Sequence, residues 1–320
     1  MKIPEAASRL PATGTSIGGR LVVAPPIWHG SRMYDEILYE VTDPVATITL
    51  NRPAALNAWT NTMDIEIKDA IGRAGADKAV VGIIITGAGR AFCAGADMKT
   101  LSALSDGASP ESASASSTSA SSTSASSTDT PSSSKPRAVD GDFSGRFPYL
   151  MMVDKPIIAA INGAVAGMAY PFSLCCDLRV VTPDAVFLTA FAQRGLIAEW
   201  GLSWLLPRLV GPAVAMDLLL SSRKVRGEEA LALGLANYLV PSTDLLGFCH
   251  RYVEQLAASS SPASMAVMKR QVYEQMHQGL GLADAEAGRL MVESFGRSDF
   301  KEGVRSFLEK RPPSFGRLPL

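Results

Sequence analysis

The pattern of apolar and polar residues becomes regular from Asp35 onward and predicts alternating strands and helices. Two short segments alternate between apolar and polar positions, as strands with one buried face do, and Asp43-Pro44 supplies a turn between them. The next segment has the apolar spacing of an amphipathic helix, with Thr60 or Asn61 available as its cap. A continuous apolar run follows, which is typical of a strand buried on both faces. These predicted elements cover residues 37–40, 45–50, 60–72 and 80–86.

The same order of elements resumes near Phe147 and gives way to helices towards the C-terminus. Apolar strands are predicted at residues 156–161 and 178–182, with a helix through 172–176 between them. Further helices are predicted at 202–220, where Gly211-Pro212 interrupts the pattern, and at 226–233, 242–278 and 283–295. Because strands and helices alternate up to about residue 240 and only helices follow, we expect an α/β fold with an all-helical C-terminal third.

Residues 109–134 differ in kind from the rest of the chain. They contain the pentapeptide SASST three times in tandem, and they offer no apolar surface whose burial could offset the entropy of ordering the backbone. We expect a disordered insertion in an exposed loop, which is favoured over a phosphorylated switch. The predicted organisation is an N-terminal tail over residues 1–30, a core over 31–240 that carries this insertion at 105–140, and a C-terminal helical region over 241–320.

Composition and charge narrow the range of functions. A net charge of −1 argues against nucleic acid or an anionic membrane surface as the main partner. The apolar stretches are shorter than the ~18–20 residues of a membrane span, and the N-terminal residues lack the apolar segment of a secretory signal. The four cysteines have no metal-type spacing and the three histidines are scattered. We therefore expect buried thiols in a reducing, cytoplasmic setting and no metal site.

Two glycine-rich turns, at residues 87–99 and 162–169, each follow a predicted buried strand. In the first turn, small residues at 94–96 let a ligand approach the backbone closely, and a helix predicted from Asp97 would point free N–H groups outward. The second turn has the same arrangement. Taken singly, such turns often serve only close packing. As a pair they predict two amide donors facing one point, an oxyanion hole in which each donor is worth about 2.7–4 kcal/mol.

Glu199 is the strongest candidate for proton transfer. It lies in residues 187–206, an apolar stretch whose only other charge is Arg194. A carboxyl in such surroundings tends towards a raised pKa, which suits an acid or base working near neutral pH. The local sequence leaves two alternatives of equal weight. Glu199 is either a catalytic carboxylate, which Arg194 could tune, or an exposed glutamate in a loop that also carries a solvated Arg194.

Seven motifs connect these observations to a known family. They are ITLNRPAALNAW (48–59), IIITGAGRAFCAGADMK (83–99), KPIIAAINGAVAGMAY (155–170), CDLRVVTPDAVF (176–187), GLIAEWGLSWLLPRLVG (195–211), GEEALALGLANYLVP (227–241) and SPASMAVMKRQ (261–271). In sequence and in order they resemble the motifs of the crotonases, the enoyl-CoA hydratase/isomerase superfamily. The resemblance covers residues 35–312 apart from the serine-rich insertion.

The resemblance implies a crotonase-like spiral core of repeated ββα turns that form two stacked sheets. It also implies C-terminal helices through which subunits assemble into a homotrimer or a dimer of trimers. The implied substrate is an acyl-CoA thioester, with coenzyme A present only as part of that substrate and with no other cofactor. The oxyanion hole would fall on the backbone N–H groups of Ala96 and Met168. The residues that would line coenzyme A are Ala54, Ala55, Leu56, Ala94, Asp97, Met98 and Lys99.

The chain departs from classical hydratases at the two glutamates that bracket the attacking water. Aligned without gaps from Asn162-Gly163, the first of these positions holds Pro171. Aligned from Asp184-Ala185, the second holds Phe191. The pattern GLIAEWG instead places an acid at Glu199, where enoyl-CoA isomerases and several other branches carry their single catalytic carboxylate.

The resemblance therefore favours an isomerase that shifts a 3-enoyl-CoA double bond to the 2-position through an enolate, with Glu199 as the only acid and base. The alternatives are an enoyl-CoA hydratase of the fatty-acid β-oxidation type that uses one carboxylate, other enolate chemistry, and a crotonase-fold scaffold without turnover. A further departure is Ala54, which occupies a place that is often lysine, so that one phosphate contact is expected to be missing.

Other charged and aromatic residues carry less weight. Asp177 and Arg179 are expected to be structural and to hold the strand after the second turn. Trp200 is interpreted as pocket wall or trimer core. Lys269 and Arg270, on a C-terminal helix, are the less favoured candidates to reach a coenzyme A phosphate across the trimer.

Overall fold

The computed structural model of the protein describes residues 34–97, 102, 106 and 143–318, and the structural account is confined to them. The predicted N-terminal tail and the serine-rich repeats lie outside these residues. Met98 and Lys99, two of the candidate coenzyme A residues, lie outside them as well, together with the helix predicted from Asp97.

The larger of two sheets contains every strand predicted from the apolar pattern. In spatial order its strands are β1 (Ile37–Thr42), β2 (Val45–Leu50), β3 (Gly82–Gly87), β5 (Ile157–Ile161), β7 (Leu178–Val181) and β10 (Tyr238–Leu239). β1 and β2 pair antiparallel across the predicted turn at Asp43-Pro44, and all other neighbours run parallel. β3 and β5 are buried along their whole length, as expected for continuous apolar runs inside a parallel sheet.

A second sheet consists of β4 (Ala91–Cys93), β6 (Ala164–Ala166), β8 (Val186–Leu188) and β9 (Val225–Arg226), in that order. The first three run parallel, and β9 pairs antiparallel with β8. The apolar pattern did not predict these strands, because two or three residues are too few to show alternation. β4, β6 and β8 each follow a strand of the larger sheet closely, which confirms the repeated ββα arrangement that the resemblance implied.

The predicted helices are confirmed with small changes in their ends, except that the segment predicted at 242–278 forms two helices, which separate at Ser260-Ser261. They are α1 (Asn61–Ala76), α2 (Ala169–Leu174), α3 (Leu202–Val210), α4 (Pro212–Ser221), α5 (Gly227–Ala232), α6 (Leu245–Ser259), α7 (Pro262–Gln275) and α8 (Leu280–Phe295). Thr60 caps α1, since its hydroxyl accepts the N–H of Met63 at 3.0 Å. A further helix, α9 (Ser298–Glu309), was not predicted.

Helices cover both faces of the larger sheet. The apolar stripe of α1, which includes Met63 and Ile67, is buried in one core cluster with Ile48 and Ile83. On the opposite face, Val253 of α6 is buried in a second cluster that includes strand residues such as Val45, Ile84 and Ile158. The sheet is therefore the centre of the core, and its covered faces explain why its middle strands carry no polar alternation.

All four cysteines are buried and free, which confirms the prediction of buried thiols. Burial raises the pKa of Cys93 and of Cys249 to about 12, so these thiols stay protonated near neutral pH. Within the described residues, no helix combines the length and the hydropathy needed to cross a membrane. In the same part of the chain, no group of three or more His, Cys, Asp or Glu side chains is arranged to hold a metal ion.

Candidate active site

The last residues of the two predicted turns lie at the same end of the second sheet. Residues 94–97 follow β4 and residues 167–169 follow β6, and these two strands are parallel neighbours. Gly95 has a φ of +100° and Gly167 a φ of +52°. A Cβ placed on Gly95 would lie 2.9 Å from the carbonyl oxygen of Ala166 and 3.7 Å from the Cα of Gly167. Glycine is required at 95 because the two backbones pack directly against each other there.

The amide of Ala96 faces away from the strand pairing that fixes this turn. Ala96 forms an isolated parallel bridge with Trp59. In that bridge the Trp59 N–H donates to the Gly95 carbonyl at 2.8 Å, and the Asp97 N–H donates to the Trp59 carbonyl at 3.2 Å. Since successive amides of an extended chain point in opposite directions, the Ala96 N–H points away from Trp59. No backbone acceptor for it occurs among the described residues.

The amide of Met168 stands at the start of α2, where helix geometry leaves N–H groups unused. The preceding Gly167 N–H donates to Leu188 at 3.1 Å, and the Met168 carbonyl accepts the N–H of Phe172 at 3.4 Å. The Met168 N–H itself has no backbone acceptor in the part of the chain that the structure describes. Both amides assigned from the resemblance are therefore available, and both belong to turns in contact.

Glu199 lies in the loop between a short 3-10 helix, Ala192–Arg194, and α3. It is half-buried, and burial raises the pKa of its carboxyl above the ordinary value, while hydrogen bonding from the Trp200 side chain opposes that rise. Among the described residues, no cation lies within ion-pair distance of it. Arg194 is exposed and donates to the Ala190 carbonyl at 2.9 Å, so of its two alternatives the structure supports the solvated loop residue and not the partner of Glu199. The predicted raised pKa of Glu199 is confirmed in direction.

A cluster of aromatic rings connects the Glu199 loop to the residues beside both amides. Trp59, the bridge partner of Ala96, packs against Phe172 of α2 with ring centroids 4.7 Å apart. Phe147 lies 5.2 Å from Trp59 and 5.4 Å from Phe172. The Trp200 ring, which follows Glu199, lies 6.0 Å from Phe147. The structure thus brings the Glu199 loop to the region in which the two turns meet.

The positions that align with the hydratase glutamates are apolar and buried. Pro171 lies inside α2, in which every residue is buried. Phe191 is 5% exposed and belongs to the main core cluster. Neither side chain can accept or donate a proton, so neither can position a water for addition.

The segment at residues 54–56 lies beside the first turn. Ala54 and Ala55 are exposed at the end of a short 3-10 helix, Pro53–Ala55. Leu56 follows with a φ of +51°, and its carbonyl accepts the Ala94 N–H at 3.0 Å. The structure therefore brings together four of the seven residues that the resemblance assigned to coenzyme A, while two others lie outside the described residues.

The seventh of these residues, Asp97, is held by an arginine that the sequence reasoning missed. Arg52 forms an ion pair with Asp97 at 3.1 Å and with Glu36 at 3.2 Å, and it donates to the Ala58 carbonyl at 2.5 Å. It therefore ties the first turn to the end of β2. The only signal in the sequence is the position of Arg52 within the motif that spans residues 48–59.

The predicted structural role of Asp177 is confirmed, and that of Lys269 needs correction. Asp177 accepts the Ile157 N–H at 2.7 Å, the Lys269 ammonium at 2.7 Å and the Tyr273 hydroxyl at 2.9 Å. Lys269 also donates to the carbonyls of Leu150 and Lys155 at 3.0 and 3.1 Å, and its side chain is only 9% exposed. With three acceptors inside the protein, Lys269 is a structural cation and not a free one that could reach a phosphate.

Arg179 and Arg270, which the sequence analysis considered together with Asp177 and Lys269, also have partners within the protein. Arg179 donates to the carbonyls of Leu235 and Cys176 at 2.6 and 2.9 Å, which confirms its structural role in holding the chain around β7. Arg270 lies at the surface and pairs with Asp154 at 3.4 Å. Whether Arg270 contacts a ligand of another subunit stays a prediction.

Comparison with known proteins agrees with this geometry. The enoyl-CoA hydratase/isomerase family model matches residues 40–134 and 135–317. A Rhodobacter capsulatus protein named "Probable enoyl-CoA hydratase" is 33% identical over 282 residues, which cover 88% of this chain and 98% of that protein. The 1,2-epoxyphenylacetyl-CoA isomerase of Escherichia coli K12 is 28% identical over 284 residues, which cover 88% of this chain and 99% of that one.

Solved structures give the same result. The crystal structure of an enoyl-CoA hydratase from Polaromonas sp. JS666 superposes with a TM-score of 0.74 at 26% identity and covers 87% of this chain and 99% of that one. The order of sheets and helices, the paired turns and the match over most of the chain lead to one conclusion: the protein belongs to the enoyl-CoA hydratase/isomerase family, the crotonase superfamily, and is an enzyme of that family.

Proposed function

We propose that the protein is an enoyl-CoA isomerase that converts a 3-enoyl-CoA into the 2-enoyl-CoA with Glu199 as its only acid and base. One observation carries this proposal. A carboxyl whose pKa is raised by burial lies in the loop whose Trp200 ring packs against Phe147, and Phe147 in turn contacts Trp59 and Phe172, which lie beside the two available backbone amides. Both positions for a second carboxylate are apolar. A single group that must first accept a proton and then return it works best with a pKa near the operating pH.

In the proposed reaction the thioester oxygen accepts hydrogen bonds from the Ala96 and Met168 N–H groups. Glu199 removes a proton from C2, and the electron pair of that C–H bond enters a dienolate that extends from the thioester oxygen to C4. The two amides stabilise the negative charge on the oxygen, which lowers the barrier to proton removal. Protonated Glu199 then delivers the proton to C4, and the double bond is left between C2 and C3. No proton or electron is gained or lost overall.

Coenzyme A is proposed to lie along the first turn and the segment before it. The exposed Ala54 and Ala55, together with Leu56 and Ala94, would contact its pantetheine and adenine portions. Asp97 would contribute through its backbone, since its side chain is engaged by Arg52. Met98 and Lys99 complete the proposed set. The proposed isomerisation needs no metal and no cofactor beyond the thioester itself.

A hydratase is the second candidate because of the names of relatives. The Rhodobacter capsulatus protein carries that name, and a 29% identical relative from Syntrophomonas wolfei is a crotonyl-CoA hydratase. Hydration adds water across C2 and C3 and needs a group that activates the water as well as a group that protonates C2. Glu199 alone would have to serve both steps, because Pro171 and Phe191 offer no proton. The Escherichia coli relative is named as an isomerase, but of an epoxide, so its name favours neither candidate.

Product identity separates the two candidates. The purified protein is given 3-enoyl-CoA and 2-enoyl-CoA in separate reactions, and products are identified by chromatography and mass spectrometry. We expect the first substrate to yield a 2-enoyl-CoA of unchanged mass, and we expect no hydrated product from the second. A 3-hydroxyacyl-CoA formed rapidly from 2-enoyl-CoA, without isomerisation of the first substrate, would contradict the proposal.

We also infer that the chain assembles into a homotrimer or a dimer of trimers through its C-terminal helices. Large apolar side chains are exposed along α7, α8 and α9 of the single chain, and burial of such a patch normally requires a partner surface. They include Met268, Val272, Leu280, Leu282, Met291, Val292, Phe307 and Leu308. Light scattering on the purified protein tests this inference, and a monomer at micromolar concentration contradicts it. A cytoplasmic location is proposed from the free, buried thiols.

A further inference from the structure

The turn that presents the Ala96 amide has no side chains large enough to hold its own shape. Residues 94–96 are alanine, glycine and alanine, and Gly95 has a φ of +100°. The direction of the Ala96 N–H is therefore set by the groups that fix its neighbours on either side. One is the Trp59 backbone, which bonds to the Gly95 carbonyl and to the Asp97 N–H. The other is the side chain of Asp97, which is held from outside the turn.

One arginine side chain holds Asp97 and the chain segment beside it together. The Nη2 group of Arg52 contacts a carboxylate oxygen of Asp97 at 3.1 Å, and its Nη1 group donates to the Ala58 carbonyl at 2.5 Å. Ala58 immediately precedes Trp59 in the chain. Asp97 immediately follows Ala96, the bridge partner of Trp59, so the guanidinium spans both sides of that bridge. Because a guanidinium is planar and its N–H groups point in fixed directions, it also fixes the spacing of the two segments.

Arg52 is itself held by further contacts. Its Nε group pairs with Glu36 at 3.2 Å, and its backbone N–H donates to the side-chain oxygen of Asn57 at 2.9 Å. Asn57 is fully buried, and its amide nitrogen donates to the carbonyls of Ala88 and Ala91 at 2.9 and 2.8 Å. The beginning of the first turn is thus attached to the same short segment that holds the end of the turn.

Another arginine of the chain has similar ion pairs but no link to the site. Arg223 pairs with the carboxylates of Asp217 and Glu229, each at 2.7 Å. These partners lie on α4 and α5, which carry none of the residues assigned to the site. Arg52 also pairs with two carboxylates, but one of them, that of Asp97, adjoins the amide assigned to the oxyanion hole. The two arginines therefore form a matched pair for experiments.

We propose that Arg52 is a positioning residue for the oxyanion hole: by joining Asp97 to the Ala58 carbonyl, its guanidinium keeps the Ala96 N–H directed at the thioester oxygen. This inference rests on the proposed function, because that function gives the Ala96 amide a thioester oxygen to bind. A donor in the hole is effective only where the oxygen gains its charge, so a small displacement of the turn is costly.

A thioester labelled with ¹³C at its carbonyl reports directly on the hole. Butyryl-CoA is a suitable probe, because it carries the thioester and has no double bond to isomerise. Hydrogen bonds to a carbonyl oxygen withdraw electron density from the carbon and move its ¹³C signal downfield. At saturation we expect a downfield shift on binding to the wild type and a smaller shift on binding to Arg52→Met. An equal shift in the two proteins would overturn the positioning role of Arg52.

Two further variants keep this test decisive. Arg223→Met is the matched control and should leave both the shift and kcat unchanged. If Arg52→Met does not fold, as judged by circular dichroism, Asp97→Ala removes the other end of the same contact and should reduce the shift in the same way. A full wild-type shift in Asp97→Ala would overturn the proposal.

Kinetics test whether the positioning serves catalysis. We expect Arg52→Met to lower kcat for 3-enoyl-CoA by about 10- to 100-fold with a smaller change in KM, because the hole acts on charge that develops in the transition state. Arg52→Lys should recover part of this loss, since an ammonium group keeps the charge but lacks the rigid fork that engages two acceptors. Equal kcat values for Arg52→Met and Arg223→Met would overturn the proposal.

Failure of the proposed function is recognised separately. If Glu199→Gln retained isomerisation, the acid–base assignment would be wrong, while the carbonyl shift would still decide the role of Arg52. If butyryl-CoA showed no downfield shift on binding to the wild type, the oxyanion hole itself would be contradicted, and the role of Arg52 with it.

Discussion

Asp177, just before β7, and Glu199, in the loop before α3, are carboxylates placed in contrasting surroundings. Asp177 accepts hydrogen bonds from a lysine, a tyrosine and a backbone amide, which come from α7 and β5. Glu199 is half-buried, and burial raises its pKa, without an ion-pair partner among the described residues. Asp177 thus joins distant segments of the chain. Glu199 has no such set of donors, so its carboxyl remains able to accept and release a proton.

A structural carboxylate and a catalytic one differ in how completely their surroundings satisfy the charge. A carboxylate that several donors satisfy is stabilised in one protonation state and fixed in place. A carboxylate that burial leaves without a cation is destabilised in its charged form. Such a group costs stability, and groups of this kind are common where they serve chemistry. Asp177 therefore serves the fold, and Glu199 is proposed to serve the reaction; separate variants test the two roles.

Asp177→Asn is expected to have the largest effect on stability. It leaves Lys269 buried without a countercharge, and breaking a buried pair in this way costs about 3–5 kcal/mol. Urea denaturation followed by circular dichroism measures the free energy of unfolding. The control is Asp154→Asn, which removes the exposed pair with Arg270 and should cost about 0–1 kcal/mol. Equal losses of unfolding free energy in the two variants would contradict the structural role of Asp177.

Gly95→Ala is expected to reduce kcat by a large factor. A Cβ at this positive φ would press on the Ala166 carbonyl and displace the turn that presents the Ala96 amide. Loss of one such donor lowers kcat by about 10²- to 10³-fold. Gly72→Ala is the matched control, because a Cβ there meets nothing within 4 Å. A kcat unaffected by Gly95→Ala would show that Glu199 does not act beside this turn.

Tyr273→Phe should have an intermediate effect on stability and none on catalysis. It removes the hydroxyl that donates to Asp177 at 2.9 Å while keeping the ring. A hydrogen bond to a charged group is worth about 1.5–3 kcal/mol, and the remaining lysine and amide should hold the loss near the lower end. Urea denaturation and the isomerase assay measure the two effects. A loss of kcat with unchanged stability would mean that the Asp177 region belongs to the active site.

The contribution of Glu199 to the pH dependence of stability is expected to be the smallest of these effects. Because burial raises the pKa of Glu199, the folded state binds its proton more tightly than the unfolded chain. The stability from this group is fully present below the unfolded pKa and is lost as pH rises through the folded pKa. Glu199→Gln should therefore become more stable relative to the wild type as pH rises through that range. Thermal unfolding at a series of pH values measures the difference, and a constant difference would contradict the raised pKa.

Much of the fold could be predicted from the sequence, because long apolar patterns record burial directly. The break at Gly211-Pro212 and the buried run that became β3 are examples. The pattern missed the strands of the second sheet, since three residues such as Ala91–Cys93 carry no periodicity. It also missed α9, although the length of that helix exceeds three turns.

The candidate site was predictable where the chemistry is local and unpredictable where it depends on distant partners. The raised pKa of Glu199 follows from its apolar neighbours in the chain. Lys269 was misjudged because its acceptors, which include the Leu150 carbonyl and Asp177, come from other parts of the sequence. The contact between Arg52 and Asp97 has the same origin, since only the folded chain brings these two residues together.

The catalytic role of Glu199 is tested by the rate at which Glu199→Gln isomerises 3-enoyl-CoA. The variant keeps the shape of the side chain and removes its ability to carry a proton. We predict that kcat falls by about 10²- to 10⁴-fold, the usual contribution of a general acid–base group. Glu40→Gln, which changes an exposed glutamate of β1, should keep the wild-type rate. A Glu199→Gln enzyme that isomerises 3-enoyl-CoA as fast as Glu40→Gln would contradict the assignment of Glu199 as the catalytic carboxylate.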